Sequence, residues 1–245
     1  MGRAFEYRKA RKMKRWAAMA KANSRISKDI VIAIKEGAGI ADPDTNARLR
    51  AVMQNAKSLN VSKTVVERAI KKATDKDTAN YKEALFEGYA PHGIALIIET
   101  ATDNNNRTVA NVRSYFNKCN GSLGTAGSVA FMFEHNCHFK FAKGEHDPEE
   151  LELELIDAGA EEVFVDEGEE DEADSIMVYG AFGSFGSLQA ALEGMNIDII
   201  SSGFERIPNV TKALNAEQAK DVEKIIEKLE EDEDVMNVYH TMVYE

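Results

Sequence analysis

Apolar residues early in the chain recur at helical spacing. Trp16, Met19, Ile26, Ile30, Ala33 and Ile34 share one face at 100° per residue, which predicts a helix from about Trp16 to Glu36. Lys21, Arg25, Lys28 and Lys35 cluster on the opposite face. Gly37-Ala38-Gly39 supplies the left-handed conformations that end a helix. Asp42 before Pro43 reads as the N-cap and first turn of a second helix, with Leu49, Val52, Met53, Ala56 and Leu59 inward and Arg50 and Lys57 outward. A third helix is expected from Ser62 or Thr64, the latter in a capping box with Glu67, through Val65, Val66, Ala69 and Ile70 to Ala73. Ahead of the first helix, Met1 to Arg15 reads as a flexible basic arm.

After the polar stretch Thr74 to Asn80 the period changes. Strands are expected at Leu85 to Ala90 and Ile94 to Thr100, joined through Pro91-His92-Gly93. The second is apolar on both faces, as a covered central strand should be. A helix from Arg107 to Lys118 and a strand from Ser128 to Phe133 follow, an incomplete ββαβ set. Next come a strand near Cys137 to Phe141, a helix near Pro148 to Ala158, strands at Glu162 to Val165 and Ser175 to Tyr179, a helix at Phe185 to Glu193 and a strand at Ile197 to Ser201. That βαββαβ order is ferredoxin-like, with the acidic run Asp166 to Asp174 as a solvated loop. A final strand (Phe204 to Val210), helix (Asn215 to Glu230) and strand (Val235 to Val243) could complete the earlier set. The expected class is α+β. A basic three-helix domain (1–75) precedes an α/β domain (80–134 plus 204–245) into which a ferredoxin-like domain (135–203) is inserted.

Charge changes the picture more than composition does. The net charge of -12 conceals a division. Residues 1–72 hold 18 Lys+Arg against 6 Asp+Glu, or +12, leaving 12 against 36, or -24, for the rest. A basic module on an acidic body meets a polyanion basic face first. Lys and Arg displace counterions from phosphates, giving salt-sensitive affinity with little sequence information. The candidate contacts are Arg8, Lys9, Arg11, Lys12, Lys14, Arg15, Lys21, Arg25, Lys28, Arg50, Lys57 and Lys71. Trp16 reads as a core anchor, with base stacking as the alternative.

Other chemistry is sparse. Asp103, Asn105 and Arg107 lie where a strand ends and a helix begins, so they form either a functional polar loop or a helix cap. The glycines at 121, 124 and 127 and at 180, 183 and 186 lack phosphate-loop or dinucleotide spacing, and turns and close packing are the expected reading. His135, Cys137 and His138 alternate sides of a strand and are not expected to hold a metal. Cys119 and Cys137 fit reduced core residues. Acidic residues sit in runs rather than catalytic pairs, so neither an enzyme nor a cofactor is expected. Apolar runs are too short for a membrane span and no secretory signal is evident, which leads to the expectation of a cytoplasmic protein; a monomer is compatible with the sequence.

Several segments resemble the YebC family, also called PmpR-type regulators, across nearly the whole chain. They are Lys14-Arg15-Trp16-Ala17, Asn46 to Lys57, Val66 to Lys72, Glu87 to Gly93, Thr102 to Thr108, Gly121 to Gly124 and Gly127 to Ala130. The opening differs from the Gly-His-Ser-Lys-Trp type of many members: here Gly2-Arg3-Ala4-Phe5-Glu6 leads into Arg8 to Lys12. The resemblance implies a three-domain α/β protein, generally a DNA-binding transcriptional regulator, with mitochondrial relatives that activate translation. Two alternatives stay open: a ribosome-associated, RNA-contacting translation factor, and a protein-protein adaptor.

Overall fold

A computed structural model describes residues 3–75, 81–167 and 173–244, with side chains from residue 19 onward. The chain forms two compact units, Met1–Thr78 and Ala79–Glu245.

The first unit is three helices: α1 (Arg3–Glu36), α2 (Ala47–Ser58) and α3 (Lys63–Thr74). Helix α1 takes in the segment expected to be a flexible arm. Nothing between Arg3 and Glu36 breaks it, since this stretch holds no Gly or Pro and is rich in Ala, Lys and Arg. Ile26, Ile30, Val31, Ile32, Ala33 and Ile34 are all buried, so the C-terminal turns are covered on more than one side. Met19, expected inside, is exposed, whereas Lys28, expected on the solvent face, is buried. Helix α2 begins four residues later than Asp42-Pro43 suggests. Asp42 opens a turn, accepting from the Asp44 amide at 3.1 Å, while Asn46 is the N-cap, accepting from the Leu49 amide at 3.0 Å. Buried Asn46 also donates to the carbonyls of Ala33 (2.9 Å) and Ile40 (3.0 Å), tying the turn to α1. Helix α3 has Ser62 at its N-cap position with no side-chain capping bond, and Thr64 and Glu67 lie within the helix.

The second unit contains two four-stranded sheets. The first has the order β3-β1-β2-β9, from β1 (Lys82–Ala90), β2 (Ile94–Thr102), β3 (Ser122–Leu123) and β9 (Val235–His240). Strands β1 and β2 pair antiparallel from Ala90↔Ile94 to Lys82↔Thr102. One face carries Leu96 and Ile98 against Val112 and Phe116 of α4 (Asn105–Lys118) and Val222, Ile225 and Leu229 of α7 (Ala216–Glu231). Its other face carries Ala95 and Ile97 against Val129 and Phe133. This two-sided cover explains the apolar run from Ile94 to Ile98 in β2. The strand expected at Ser128 to Phe133 is instead a turn of 3-10 helix at Ala130–Met132.

The second sheet has the order β5-β6-β4-β7 and is antiparallel throughout. It is built from β4 (Phe133–Ala142), β5 (Ala160–Asp166), β6 (Ser175–Ala181) and β7 (Ile199–Pro208), with α5 (Pro148–Leu155) and α6 (Phe185–Gly194) on one face. This is the ferredoxin-like plan, inserted between β3 and α7 of the first sheet's domain. The strands expected separately at 197–201 and 204–210 are the single strand β7, paired with β4 from Phe133↔Pro208 to Phe141↔Ile199. Gly203 does not interrupt it. Short β8 (Lys212–Leu214) pairs parallel with β10 (Met242–Tyr244). The centre of the acidic run, 168–172, lies outside the described residues.

Candidate nucleic-acid interface

Helix α2 carries Arg48, Arg50 and Lys57 and no acid. Helix α3 carries Lys63, Arg68, Lys71 and Lys72 against Glu67 alone. On α3 the small residues Ala69 and Ala73 are buried, and α3 packs on α1. Close packing through alanines turns the other side outward, where Arg68, Lys71 and Lys72, three and four residues apart, share a face.

Some of the cations are engaged. Arg48 pairs with Glu36, Lys63 lies 3.8 Å from Glu67, and Arg50 donates to the carbonyls of Pro43 and Asp44 at 3.4 and 3.3 Å. Among the described residues, Lys57, Arg68 and Lys71 are exposed and stand in no ion pair. Lys57 and Lys71 occupy last helical turns, where a cation also complements the helix dipole. Lys21 and Arg25 are half-buried, and Lys28 is withdrawn from solvent. The side chains of Arg8, Lys9, Arg11, Lys12, Lys14, Arg15 and Trp16 lie outside the described residues. The candidate contacts expected from the sequence include Lys71 of α3 but not Arg68 or Lys72. Their spacing from Lys71 was the available signal.

The second candidate, Asp103, Asn105 and Arg107, lies at the start of α4. Asn104 is the N-cap of α4, accepting from the Arg107 amide at 3.2 Å. The Arg107 guanidinium donates to Asp234 at 2.8 and 3.1 Å and to Asp103 at 2.9 Å. These hydrogen bonds, to Asp234 first, raise the Arg107 pKa above its ordinary value. Asp234, itself buried, also accepts from the hydroxyls of Thr102 (3.1 Å) and Thr108 (2.9 Å). The group thus fastens the end of β2 and the start of α4 to the chain before β9. Asn105 is exposed and takes no part in it.

The glycine-rich segment has a comparable explanation. The buried Glu87 carboxylate accepts from the amides of Gly127 (2.7 Å), Val129 (2.8 Å) and Ala130 (2.8 Å). Burial by itself would push Glu87 upward, but the three amides and the Arg206 charge outweigh it and lower its pKa. A Cβ on Gly88 would come within 2.7 Å of the Phe116 ring, so the glycine beside Glu87 is required by packing. Gly180 is likewise crowded by the Gly159 carbonyl and Gly183 lies in the 3-10 turn Phe182–Ser184, in keeping with the turns and close packing expected, while Gly186 stands in α6 with open space beside it. Cys137 is buried in the second core and donates to the Ala181 carbonyl at 3.3 Å. No described helix is long and apolar enough to cross a membrane.

Comparison with known proteins agrees with this division. Residues 3–76 match the family model described as the TACO1/YebC protein N-terminal domain, and residues 81–242 match that of the TACO1/YebC second and third domain. A probable transcriptional regulatory protein of Flavobacterium psychrophilum is 69% identical over 242 residues, covering 99% of both chains. Another of that description from Porphyromonas gingivalis is 57% identical over 243 residues, covering 99% of this chain and 97% of its own. The crystal structure of a conserved hypothetical protein from Aquifex aeolicus superposes with a TM-score of 0.74 at 32% identity, over 92% of this chain and 90% of the other. With its helical unit and both sheets each accounted for, the chain belongs to the TACO1/YebC family.

Proposed function

We propose that the protein is a transcriptional regulator that contacts DNA through its helical unit, with the α/β unit excluded from the phosphates by its own charge. The observation that carries this reading is the exposed, unpaired set Lys57, Arg68 and Lys71 on helices that hold one acid between them. The names of the relatives support the regulatory part. Contacts of this kind neutralise phosphates and position the protein, while sequence preference must come from groups that reach base edges. The buried Lys28 is removed from the set, and Arg68 joins it.

The test is a salt titration of binding by the full chain to duplex DNA, structured ribosomal RNA and intact ribosomes, beside the variant K57Q/R68Q/K71Q. Saturable, sequence-preferring DNA binding that the variant loses is the expected result. Tight binding to ribosomes with weak, sequence-blind DNA affinity would overturn it in favour of translation. Undiminished binding by the variant would remove Lys57, Arg68 and Lys71 from either role and overturn the observation on which this reading rests.

A further inference from the structure

The ferredoxin-like sheet has a second face. Its first face buries Phe139, Phe141, Ile176 and Val178 beneath α5 and α6. On the opposite face the strand register aligns Glu162, Tyr179, His138 and Gly203 in one row and Phe164, Met177, Lys140 and Ser201 in the next. The rings form a continuous line across β5, β6 and β4. Phe164 and Tyr179 stack at 5.9 Å with planes 9° apart, and Tyr179 lies 5.9 Å from His138. Phe164 is 38% exposed although it is a large aromatic, and Glu162 beside it is exposed. Gly203 leaves room for the imidazole, since a Cβ there would stand 3.2 Å from His138.

The charge around these rings has one sign. Residues 133–208 hold 20 Asp+Glu against 3 Lys+Arg, a net of -17. Of the three cations, Lys140 is bonded to Asp166 at 2.7 Å and Arg206 to Glu99 at 3.0 Å. Burial pushes the His138 pKa down, so the imidazole adds no cation at neutral pH even with Glu205 3.7 Å away. A row of rings on such a sheet can stack single-stranded bases, but that mode needs cations to follow the phosphates, and this face repels them. A guanidinium suits it instead: it stacks flat on a ring while its N–H groups meet a carboxylate.

We propose that this open face, with Phe164 and Tyr179 as the platform and Glu162 and Glu205 as counter-charges, docks an arginine-rich extended segment of a partner protein. The docking is independent of the nucleic-acid reading of the helical unit. It gives the chain two sites, one for a polyanion and one for a polycation. Arginine is preferred over lysine because only the planar group satisfies ring and carboxylate together.

The experiment measures fluorescence anisotropy of a labelled Arg-Gly repeat peptide of about ten residues with the full chain, compared with its Lys-Gly counterpart and with labelled oligouridylate. Phe164→Leu keeps the apolar bulk but removes the ring. Glu162→Gln removes one charge on the face, and Glu152→Gln removes one from an exposed position on α5 of the same domain. Saturable binding of the Arg peptide, tighter than the Lys peptide, is expected, weakened about threefold to tenfold by Phe164→Leu or Glu162→Gln and unchanged by Glu152→Gln. Equal losses from all three variants would reduce the effect to the general acidic field and overturn the proposal. So would tighter binding of oligouridylate that Phe164→Leu abolishes, or no saturable peptide binding at low salt. Thermal melts confirm that each variant is folded.

Discussion

The helical unit and the α/β unit use charge in opposite ways. In the α/β unit the informative carboxylates point inward. Glu87 is wrapped by three backbone amides, Asp234 by Arg107 and two threonine hydroxyls, and Glu99 by Arg206 and Asn237. In the helical unit the informative cations point outward, and among the described residues Lys57, Arg68 and Lys71 are held by no ion pair. A charge satisfied inside fixes shape, because removing it strands its partners. One left on the surface contributes little to stability and remains available for a ligand. Overall net charge therefore says little about function, whereas the location of the partners says a good deal.

The sharpest test of this contrast is Glu87→Ala. It leaves three amide donors of a buried loop without an acceptor and should cost roughly 3 to 5 kcal/mol. Urea denaturation read by circular dichroism would measure it, and a loss below about 1 kcal/mol would mean that water replaces the carboxylate. Asp234→Asn should come next, at about 2 kcal/mol, because an amide keeps one acceptor oxygen but presents N–H groups to donors. Acidification should show the same inward role through a pH slope. Glu87 is held below its ordinary value of 4.5, so its contribution is complete above about that pH and is lost as the pH falls through the folded value. The stability difference between wild type and Glu87→Gln should therefore narrow on acidification below about pH 4.5.

The outward role predicts the reverse pattern. K57Q/R68Q/K71Q should leave the denaturation midpoint within scatter while lowering the slope of log affinity against log salt by about 2 to 3. A variant that unfolds early would place those side chains in the architecture instead. Smallest of all, Lys63→Ala removes only an exposed pair at 3.8 Å and should shift neither midpoint nor affinity measurably. A measurable shift would blur the distinction between paired and unpaired surface cations.

Repeating local signals made much of this fold readable. The βαββαβ order follows from strand and helix periods, and the apolar run of β2 correctly announces cover on both faces. Errors arose where a local rule had a rival. Asp42-Pro43 and Asn46 are both competent caps, and the long-range bonds from Asn46 to Ala33 and Ile40 favour the later one. The sequence suggests two strands, Ile197 to Ser201 and Phe204 to Val210, but the ladder to β4 continues through Ser202 and Gly203. Lys28 lies on the polar side of a helical wheel, yet the apolar run Ile30 to Ile34 shows that α1 is enclosed beyond a single stripe. The site is less legible than the fold because pairing decides which cations remain available. Neither the pair of Arg48 with Glu36 nor the enclosure of Glu87 by residues forty positions away has a local signature.

The insertion leaves and re-enters its host at almost one point. Phe133 faces Pro208 across the β4–β7 ladder, and the Asn209 amide donates to the Met132 carbonyl at 2.9 Å. Closure entropy grows only slowly with loop length, so an unstructured segment in place of the insertion would add only about 1 kcal/mol to closing the β2–β9 pair, and the folded insertion, whose ends already meet, removes even that. The ferredoxin-like domain thus behaves as a clasp for assembly. Once it has formed, the distant C-terminal helix and strand are delivered to the host sheet as though they were its immediate neighbours in sequence.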